Sequence, residues 1–287
     1  LIPIKNLFSR DGIELWAKVE WKQISGSVKA RAAYHIIRNA VENGALHENM
    51  KLLDATSGNT GIAYAAIGKK IGLKVTLCVP ENVTQERKDI LVSLGAEIIY
   101  TSKFEGTDGA QIMAREMASS FPEKYFYADQ YRNENNWKAH YHTTAEEIFL
   151  ELPAITHFVA GVGTSGTFVG TARRLKEFDE NIRSIALHPD SALHGLEGWK
   201  HMETAIVPSI YDSSLANENI SVSTEEAYEM VRMAWEKEKL YLSPSSAANL
   251  AGAMKVISQI EKGMIVTVLP DDGSKYKNLL QKLIPDA

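Results

Sequence analysis

The sequence holds one cysteine, Cys78, in 287 residues. It therefore has no intrachain disulfide and no cysteine-built zinc cage. No apolar run approaches the ~20 residues that a membrane span requires, and no charged–apolar–small leader is visible at the start. A basic stripe is missing as well. The 31 Lys+Arg are outnumbered by 36 Asp+Glu, for a net charge of −5, the wrong sign for a surface that binds nucleic acid. There is no internal repeat, no low-complexity tract and no long charge run. A hydrolase elbow of the G-x-S-x-G form and a G-K-[ST] phosphate loop are both missing. These absences predict a chain of a reducing, cytoplasmic compartment, with neither nucleic acid nor membrane as partner.

Hydrophobic residues make up 45% and charged residues 23%, a composition that folds around a core. The length suggests about two domains of ~150 residues. Short, nearly continuous apolar runs recur at Glu14–Trp21, Lys51–Ala55, Leu73–Val79, Glu97–Tyr100, His157–Ala160, Ile182–Leu187 and Met264–Leu269, as strands buried on both faces do. Between them, helical spacing runs over Val28–Glu42, Thr60–Ile71, Glu81–Leu94, Asp108–Ser119, Asn135–Leu150, Gly166–Phe178, Thr224–Lys239 and Ser246–Glu261. Alternation of this kind predicts an α/β architecture. Gly44 and Gly72 sit where helices should end in a left-handed residue. Ser223 with Glu226 reads as a capping box. Pro80 and Pro270 each follow a strand that neither can continue. Pro189–Asn219 has weak periodicity and reads as a long ordered loop.

Four polar or glycine-rich segments fall at strand-to-helix junctions, which line the ligand crevice of an open α/β sheet. In Ser25–Arg31, Lys29 lies in the first turn of a helix. A cation is disfavoured there by the helix dipole, which favours the free amine that a Schiff-base lysine needs. Taken alone it reads as a solvated surface lysine. Thr56-Ser57-Gly58-Asn59-Thr60-Gly61 is denser in hydroxyl and amide groups than a capped turn requires, and it suits a carboxylate or phosphate. Gly161, Gly163 and Gly166 form G-x-G-x-x-G around Thr164, Ser165 and Thr167. A dinucleotide site would need an acid about 20 residues on. The next strand ends in His188-Pro189 instead, which leaves the phosphate reading and weakens the dinucleotide one. Ser243–Ala248 alone is a serine-rich helix start. His140 and His142, two apart on a helix, do not share a face and are no metal pair. No metal site is expected. Cys78 and the five dispersed tryptophans read as packing residues.

Taken together and in this order, the four segments resemble the cysteine synthase family of pyridoxal-phosphate (PLP) enzymes, which have the fold-type-II, tryptophan-synthase-β-like architecture. Ser27-Val28-Lys29 resembles its Schiff-base lysine motif, Thr56–Gly61 its TSGNTG substrate loop, Gly163–Thr167 its phosphate cup and Ser245 its pyridine-nitrogen serine. Asp129-Gln130-Tyr131 with Asn133 and Asn136, Val79-Pro80-Glu81-Asn82 and Leu94-Gly95-Ala96 are similar to further family segments. The departures are Ala30 after the lysine, Ser246-Ala247-Ala248 where glycine usually follows the serine, and Asp271-Asp272-Gly273-Ser274-Lys275-Tyr276 for D-S-G-x-x-Y.

The resemblance implies two open, twisted, mostly parallel sheets with helices on both faces. It implies a smaller, mobile substrate-loop domain at 23–133 and a larger phosphate-binding domain from 1–22 plus 134–287. It also implies roles. Lys29 would hold PLP and move the substrate Cα proton. Asn59 would bond the cofactor's O3′, and Gly163, Thr164, Ser165, Gly166 and Thr167 would cradle its phosphate. Ser245 would face the ring nitrogen. Thr56, Ser57, Thr60 and Gln130 would bind the substrate carboxylate. The implied reaction is β-replacement on O-acetyl- or O-phospho-L-serine with sulfide or another sulfur donor, giving L-cysteine. His140-Tyr141 and the segment Leu152–Gly161 resemble the B-type branch, whose phosphoserine-using members place a cation at the leaving group, here at Lys200. A homodimer and a serine acetyltransferase partner belong to the same expectation. The alternatives are a cystathionine β-synthase, a diamino-acid synthase, a serine/threonine dehydratase, or a non-catalytic homologue that binds a peptide.

Overall fold

The computed structural model describes residues 1–285 and 287. Among them are the strands β1 (Ile2–Ile4), β2 (Ile13–Val19), β3 (Lys51–Ala55), β4 (Val75–Pro80), β5 (Glu97–Thr101), β6 (Tyr125–Tyr127), β7 (His157–Gly161), β8 (Arg183–Pro189), β9 (Glu218–Val222) and β10 (Gly263–Leu269). The α-helices are α1 (Lys29–Glu42), α2 (Asn59–Ile71), α3 (Gln85–Ser93), α4 (Gly106–Ser120), α5 (Asn135–His142), α6 (Thr144–Glu151), α7 (Gly166–Phe178), α8 (Thr224–Met233), α9 (Pro244–Gln259) and α10 (Lys277–Leu283). No helix among the described residues is long and apolar enough to cross a membrane.

The chain divides into two compact units, Lys22–Asn136 and Leu1–Trp21 with Trp137–Ala287. The first holds a four-stranded parallel sheet in the order β5-β4-β3-β6. Every residue of β4 is buried. Successive side chains of a strand point to opposite faces, so both faces of this sheet are covered by helices. The second unit holds a six-stranded sheet in the order β1-β2-β10-β7-β8-β9. It is parallel except for β1, which runs antiparallel to β2. Each unit has its own apolar core, one around Leu52, Leu77 and Tyr64, the other around Leu15, Leu187 and Leu250. The expected α/β architecture of mostly parallel sheets flanked by helices is the one observed.

Each sheet reverses its order of growth once. In the smaller unit the chain steps outward from β3 to β4 to β5, then crosses back to place β6 on the other side of β3. In the larger unit it steps from β7 to β8 to β9, then returns as β10 beside β7. At such switch points the loops leaving the strand C-termini diverge and open a crevice. The loops concerned are Thr56–Gly61 and the chain after β6 in one unit, and Gly161–Thr167 and the chain after β10 in the other.

Several boundaries follow their local chemistry. Gly72 ends α2 at φ 75°, and Gly44 follows α1 at φ 77°. The Ser223 hydroxyl accepts the Glu226 N–H at 3.0 Å, while Glu226 Oε2 accepts the Ser223 N–H at 2.8 Å, a closed capping box. Ser223→Ala should therefore lower unfolding stability by about 0.5–2 kcal/mol in urea titration without changing cofactor content. Other boundaries differ from expectation. The helix expected over Asn135–Leu150 breaks at Thr143. There the Thr143 hydroxyl donates to the Ala139 carbonyl and the Thr144 hydroxyl pairs with the His140 ring, the competition with backbone that threonine offers. The helix expected to reach Lys239 leaves α geometry after Met233 and widens into a π-turn over Ala234–Glu238, where the Glu238 carboxylate accepts the N–H groups of Asn6 and Leu7. Pro80 and Pro189 close their strands from within, paired with Thr101 and Val222. The next residue's N–H continues the ladder in each case.

Candidate active site

In the smaller unit the Thr56–Gly61 loop is folded around two side chains. The Thr56 hydroxyl, nearly fully buried, accepts the N–H groups of Gly58 at 3.1 Å and Gly61 at 3.2 Å. Gln130, also buried, spans the switch point. Its Nε2 donates to the Ala55 carbonyl at 2.8 Å, and its Oε1 accepts the Thr60 hydroxyl at 2.7 Å. Asn136 in turn donates to the Gln130 carbonyl at 2.7 Å. Thr56, Thr60 and Gln130 are thus brought together, with Ser57 exposed at the tip and Asn59 half-buried at the start of α2. Beneath the tip lies Arg87 of α3, which no sequence motif singles out. It is buried, and its guanidinium donates to the Ser57 carbonyl at 3.3 Å. Lys29 opens α1 half-buried, after the fully buried Ser27. α1 packs against α2, the helix that begins at Asn59.

In the larger unit β7 runs into Gly161–Thr167, and α7 starts at Gly166. Ser165 caps that helix in a left-handed conformation, φ 73°, with its side chain 3% exposed and its hydroxyl without a hydrogen-bond partner. The loop is held from two sides. The Lys200 N–H donates to the Val162 carbonyl at 3.0 Å, which lays Gly198-Trp199-Lys200 across it. Asn249 of α9 accepts the Gly161 N–H at 2.7 Å and donates to the Ser245 carbonyl at 3.2 Å. Asn249 therefore links the phosphate-type loop to Ser245. No sequence motif singles out Asn249, a lone amide in an alanine-rich helix. Ser245, 5% exposed, pairs with the Ser243 hydroxyl at 3.2 Å. The hydroxyls of Ser243 and Ser246 both donate to the Asp271 carbonyl, so the start of α9 is tied to the chain after β10.

Burial sets the titration behaviour of the smaller unit. The Asp54 carboxyl, fully buried at the end of β3, is pushed up to about 8 by desolvation. Desolvation also raises Asp129 and Tyr131 and pushes the Cys78 thiol up to about 12, which makes that thiol an inert core group. In the larger unit burial holds the His188 and His194 imidazoles below their ordinary value, and the His201 charge acts in the same direction.

The pyridoxal-phosphate dependent enzyme family matches residues 1–271 of this chain. The chain belongs to that family. Within it, the chain falls in the fold-type-II group of cysteine and cystathionine β-synthases. It is 43% identical over 284 residues to a cysteine synthase of Aquifex aeolicus, covering 96% of this chain and 87% of the relative. It is 34% identical to cysteine synthase B of Escherichia coli, covering 96% and 90%. It is 35% identical to an O-acetylserine dependent cystathionine beta-synthase of Bacillus subtilis, covering 96% and 92%. The crystal structure of a cysteine synthase from Entamoeba histolytica superposes with a TM-score of 0.92 at 29% identity, over 100% of this chain and 88% of the other.

The residues present fit the cofactor of this PLP-dependent family. A phosphate ester needs donors and no competing carboxylate. Gly161–Thr167 has three hydroxyl side chains and no acid. The first N–H groups of α7 lie at its end, and the Ser165 hydroxyl is buried with nothing to bond. An orphaned buried hydroxyl costs about 1–3 kcal/mol, a cost that a bound phosphate oxygen removes.

Proposed function

We propose that this PLP-dependent enzyme is a cysteine synthase, which replaces the leaving group on Cβ of an O-activated L-serine with sulfide to give L-cysteine. The observation that carries this reading is the unpartnered Ser165 hydroxyl at the α7 N-terminus, in a chain that also has Lys29, Asn59 and Ser245 where a PLP enzyme of this family uses them. The two named cysteine synthases support it by their identities of 43% and 34%.

PLP held here supplies an electron sink for the charge left when the substrate's Cα proton departs. Lys29 would hold the cofactor through its side-chain amine, and that amine would take up the substrate's Cα proton. Gly163, Thr164, Ser165, Gly166 and Thr167 hold the phosphate, Asn59 the O3′ oxygen and Ser245 the ring nitrogen. A neutral hydroxyl at that nitrogen does not hold it protonated, which suits elimination at Cβ over fuller carbanion chemistry. Thr56, Ser57, Thr60 and Gln130 bind the substrate carboxylate. The Thr60 proton is already donated to Gln130, and one Gln130 N–H to Ala55. The side-chain donors that remain for a carboxylate are the Ser57 hydroxyl and the second Gln130 N–H. We assign 23–133 as the substrate-loop domain and 1–22 with 134–287 as the phosphate-binding domain. A cytoplasmic homodimer goes with this reading, with a serine acetyltransferase as partner where O-acetylserine is the substrate.

Mass spectrometry of products tests the reading. The purified protein, loaded with PLP, is given O-acetyl- or O-phospho-L-serine with sulfide, homocysteine or ammonia. Cysteine formed preferentially from sulfide supports it. Cystathionine formed preferentially from homocysteine selects the second reading, which the Bacillus subtilis relative favours. A protein that takes up no PLP overturns both. The same assay locates the leaving group. Lys200→Ala should lower kcat/KM for O-phosphoserine about tenfold or more relative to O-acetylserine, the loss of one charge-assisted hydrogen bond. An unchanged preference removes Lys200 from that role.

A further inference from the structure

Beneath the Thr56–Gly61 loop the smaller unit buries ionisable groups that the proposed chemistry leaves unused. Asp54, 0% exposed, accepts the Ala55 N–H on Oδ1 at 2.8 Å. Its Oδ2 makes no hydrogen bond of ordinary length, and neither does the fully buried Tyr64 hydroxyl of α2, which lies near enough to Asp54 for a longer one. The Tyr127 hydroxyl of β6 and Asp129 Oδ1 are likewise enclosed and unpartnered. Asp129 also stands at φ 42°, in the left-handed region that a side chain other than Asn, Asp or Gly rarely adopts.

The groups that act on Asp54 and on its neighbours come from every element around β3. Tyr64 approaches from α2, Cys78 from β4 and Tyr127 from β6, with Asp129 and Tyr131 from the chain just after it. From α4, Asp108 acts on Tyr131, and Arg115 acts on Tyr127 and Asp129. Arg132 approaches Asp129 at 3.9 Å but is mostly exposed. The leading influences on Asp54 include no cation. A buried carboxylate with no cation is costly enough to take up a proton instead, and a second carboxylate facing it adds to that cost.

The two acids stand at the two anchors of the loop. Asp54 holds the Ala55 N–H, and the residue after Asp129, Gln130, holds the Ala55 carbonyl and the Thr60 hydroxyl. We propose that Asp54 is a positioning residue of the carboxylate-binding loop, a neutral acid that pins Ala55 and whose proton relieves repulsion with Asp129. The proposal rests on the reading of that loop as the substrate-carboxylate site. When Asp54 loses its proton, a negative charge appears two residues before Thr56 and opposite Asp129. The anchors repel each other, and the loop meets an incoming carboxylate with like charge.

Asp54→Asn tests this, because the amide keeps the Oδ1 acceptor and removes the charge. L-serine is the probe, its dissociation constant read from the absorbance change of the PLP-loaded protein. Above the titration of Asp54, wild-type affinity should fall by about tenfold per pH unit relative to the Asn variant; the probe's own amine titrates against both and cancels. Protection of the Ala55–Gly61 amides, that is, their exchange corrected for the intrinsic base-catalysed rate, should fall over the same range in the wild type alone. The infrared spectrum should show a protonated carboxyl band near neutral pH that the variant lacks. Identical pH dependence in the two proteins, or no such band, overturns the proposal. If the wild type binds no amino acid at any pH while the band and the exchange difference persist, the substrate reading of the loop fails and the role of Asp54 in holding it stands.

Discussion

Lys29→Ala should give a folded protein with no covalently held PLP and with kcat reduced by about 10²–10⁴-fold, the usual contribution of a positioned acid–base group. Two measurements separate this result from a folding defect. Borohydride treatment of the wild type followed by peptide mapping should place the label on Lys29, and the variant should take none. The apo forms should melt at similar temperatures, since Lys29 is a half-buried residue in the first turn of α1. Alanine is the best helix former, and removing a cation from a helix N-terminus is worth about 0.3–1 kcal/mol in favour of the variant. A small primary amine in solution should restore part of the turnover by taking up the Cα proton. A variant that keeps a borohydride-stable label at another amine would break the link between this residue and the cofactor.

What the sequence made legible, and what it hid, divides along physical lines. The strand Lys51–Ala55 and the helix Gly166–Phe178 are found with the bounds read from the sequence, because a glycine or a polar cluster marks where each meets its neighbouring loop. The strands β1 and β6 have three residues each, too few for any period to register. β9 overlaps the end of the stretch read as a loop, because at a sheet edge Asn219 and Ser221 form an exposed face and only Ile220 and Val222 are left as buried apolar positions. The dense loops Thr56–Gly61 and Gly161–Thr167 were visible because they carry more hydroxyl and glycine than a turn needs. Their supports were not. Asp54 sits inside an apolar strand, Arg87 on an ordinary charged helix and Asn249 on an alanine-rich one. Each acts through a neighbour distant in sequence, and no local pattern encodes that neighbour.

The pH dependence of stability follows from one of those hidden supports. The Asp54 carboxyl titrates at about 8 in the folded protein and at about 4 in the unfolded chain. Between those values the folded state binds more protons than the unfolded one, so the contribution of this group to stability falls as pH rises from about 4 to about 8 and is level beyond. The neutral amide of Asp54→Asn has no such slope. Denaturant titration across that window should show the variant gaining on the wild type up to about pH 8, by up to about 5 kcal/mol.

Gly163→Ala should cost the protein its cofactor. A Cβ at Gly163 would lie 1.7 Å from the Gly198 carbonyl oxygen, far inside any contact that two atoms can make. The obstacle is backbone, and that backbone is pinned by the Lys200 N–H donating to the Val162 carbonyl. Neither strand of the loop can turn a side chain aside. One of them must move by an ångström or more, and overpacking of this kind costs about 1–3 kcal/mol of stability. The larger loss is at the phosphate, because the same movement carries Thr164 and Ser165 away from the α7 N-terminus. A misplacement of about 1 Å at such a site is worth about 10²-fold, so the apparent PLP dissociation constant should rise by about that factor in fluorescence titration. Gly44→Ala is the control. Gly44 has φ 77°, and a Cβ added there would meet no atom within 4 Å, so alanine strains one helix end and should lower stability while leaving PLP affinity alone. If Gly163→Ala binds PLP as the wild type does, the loop is not the phosphate cradle, whatever else the chain binds.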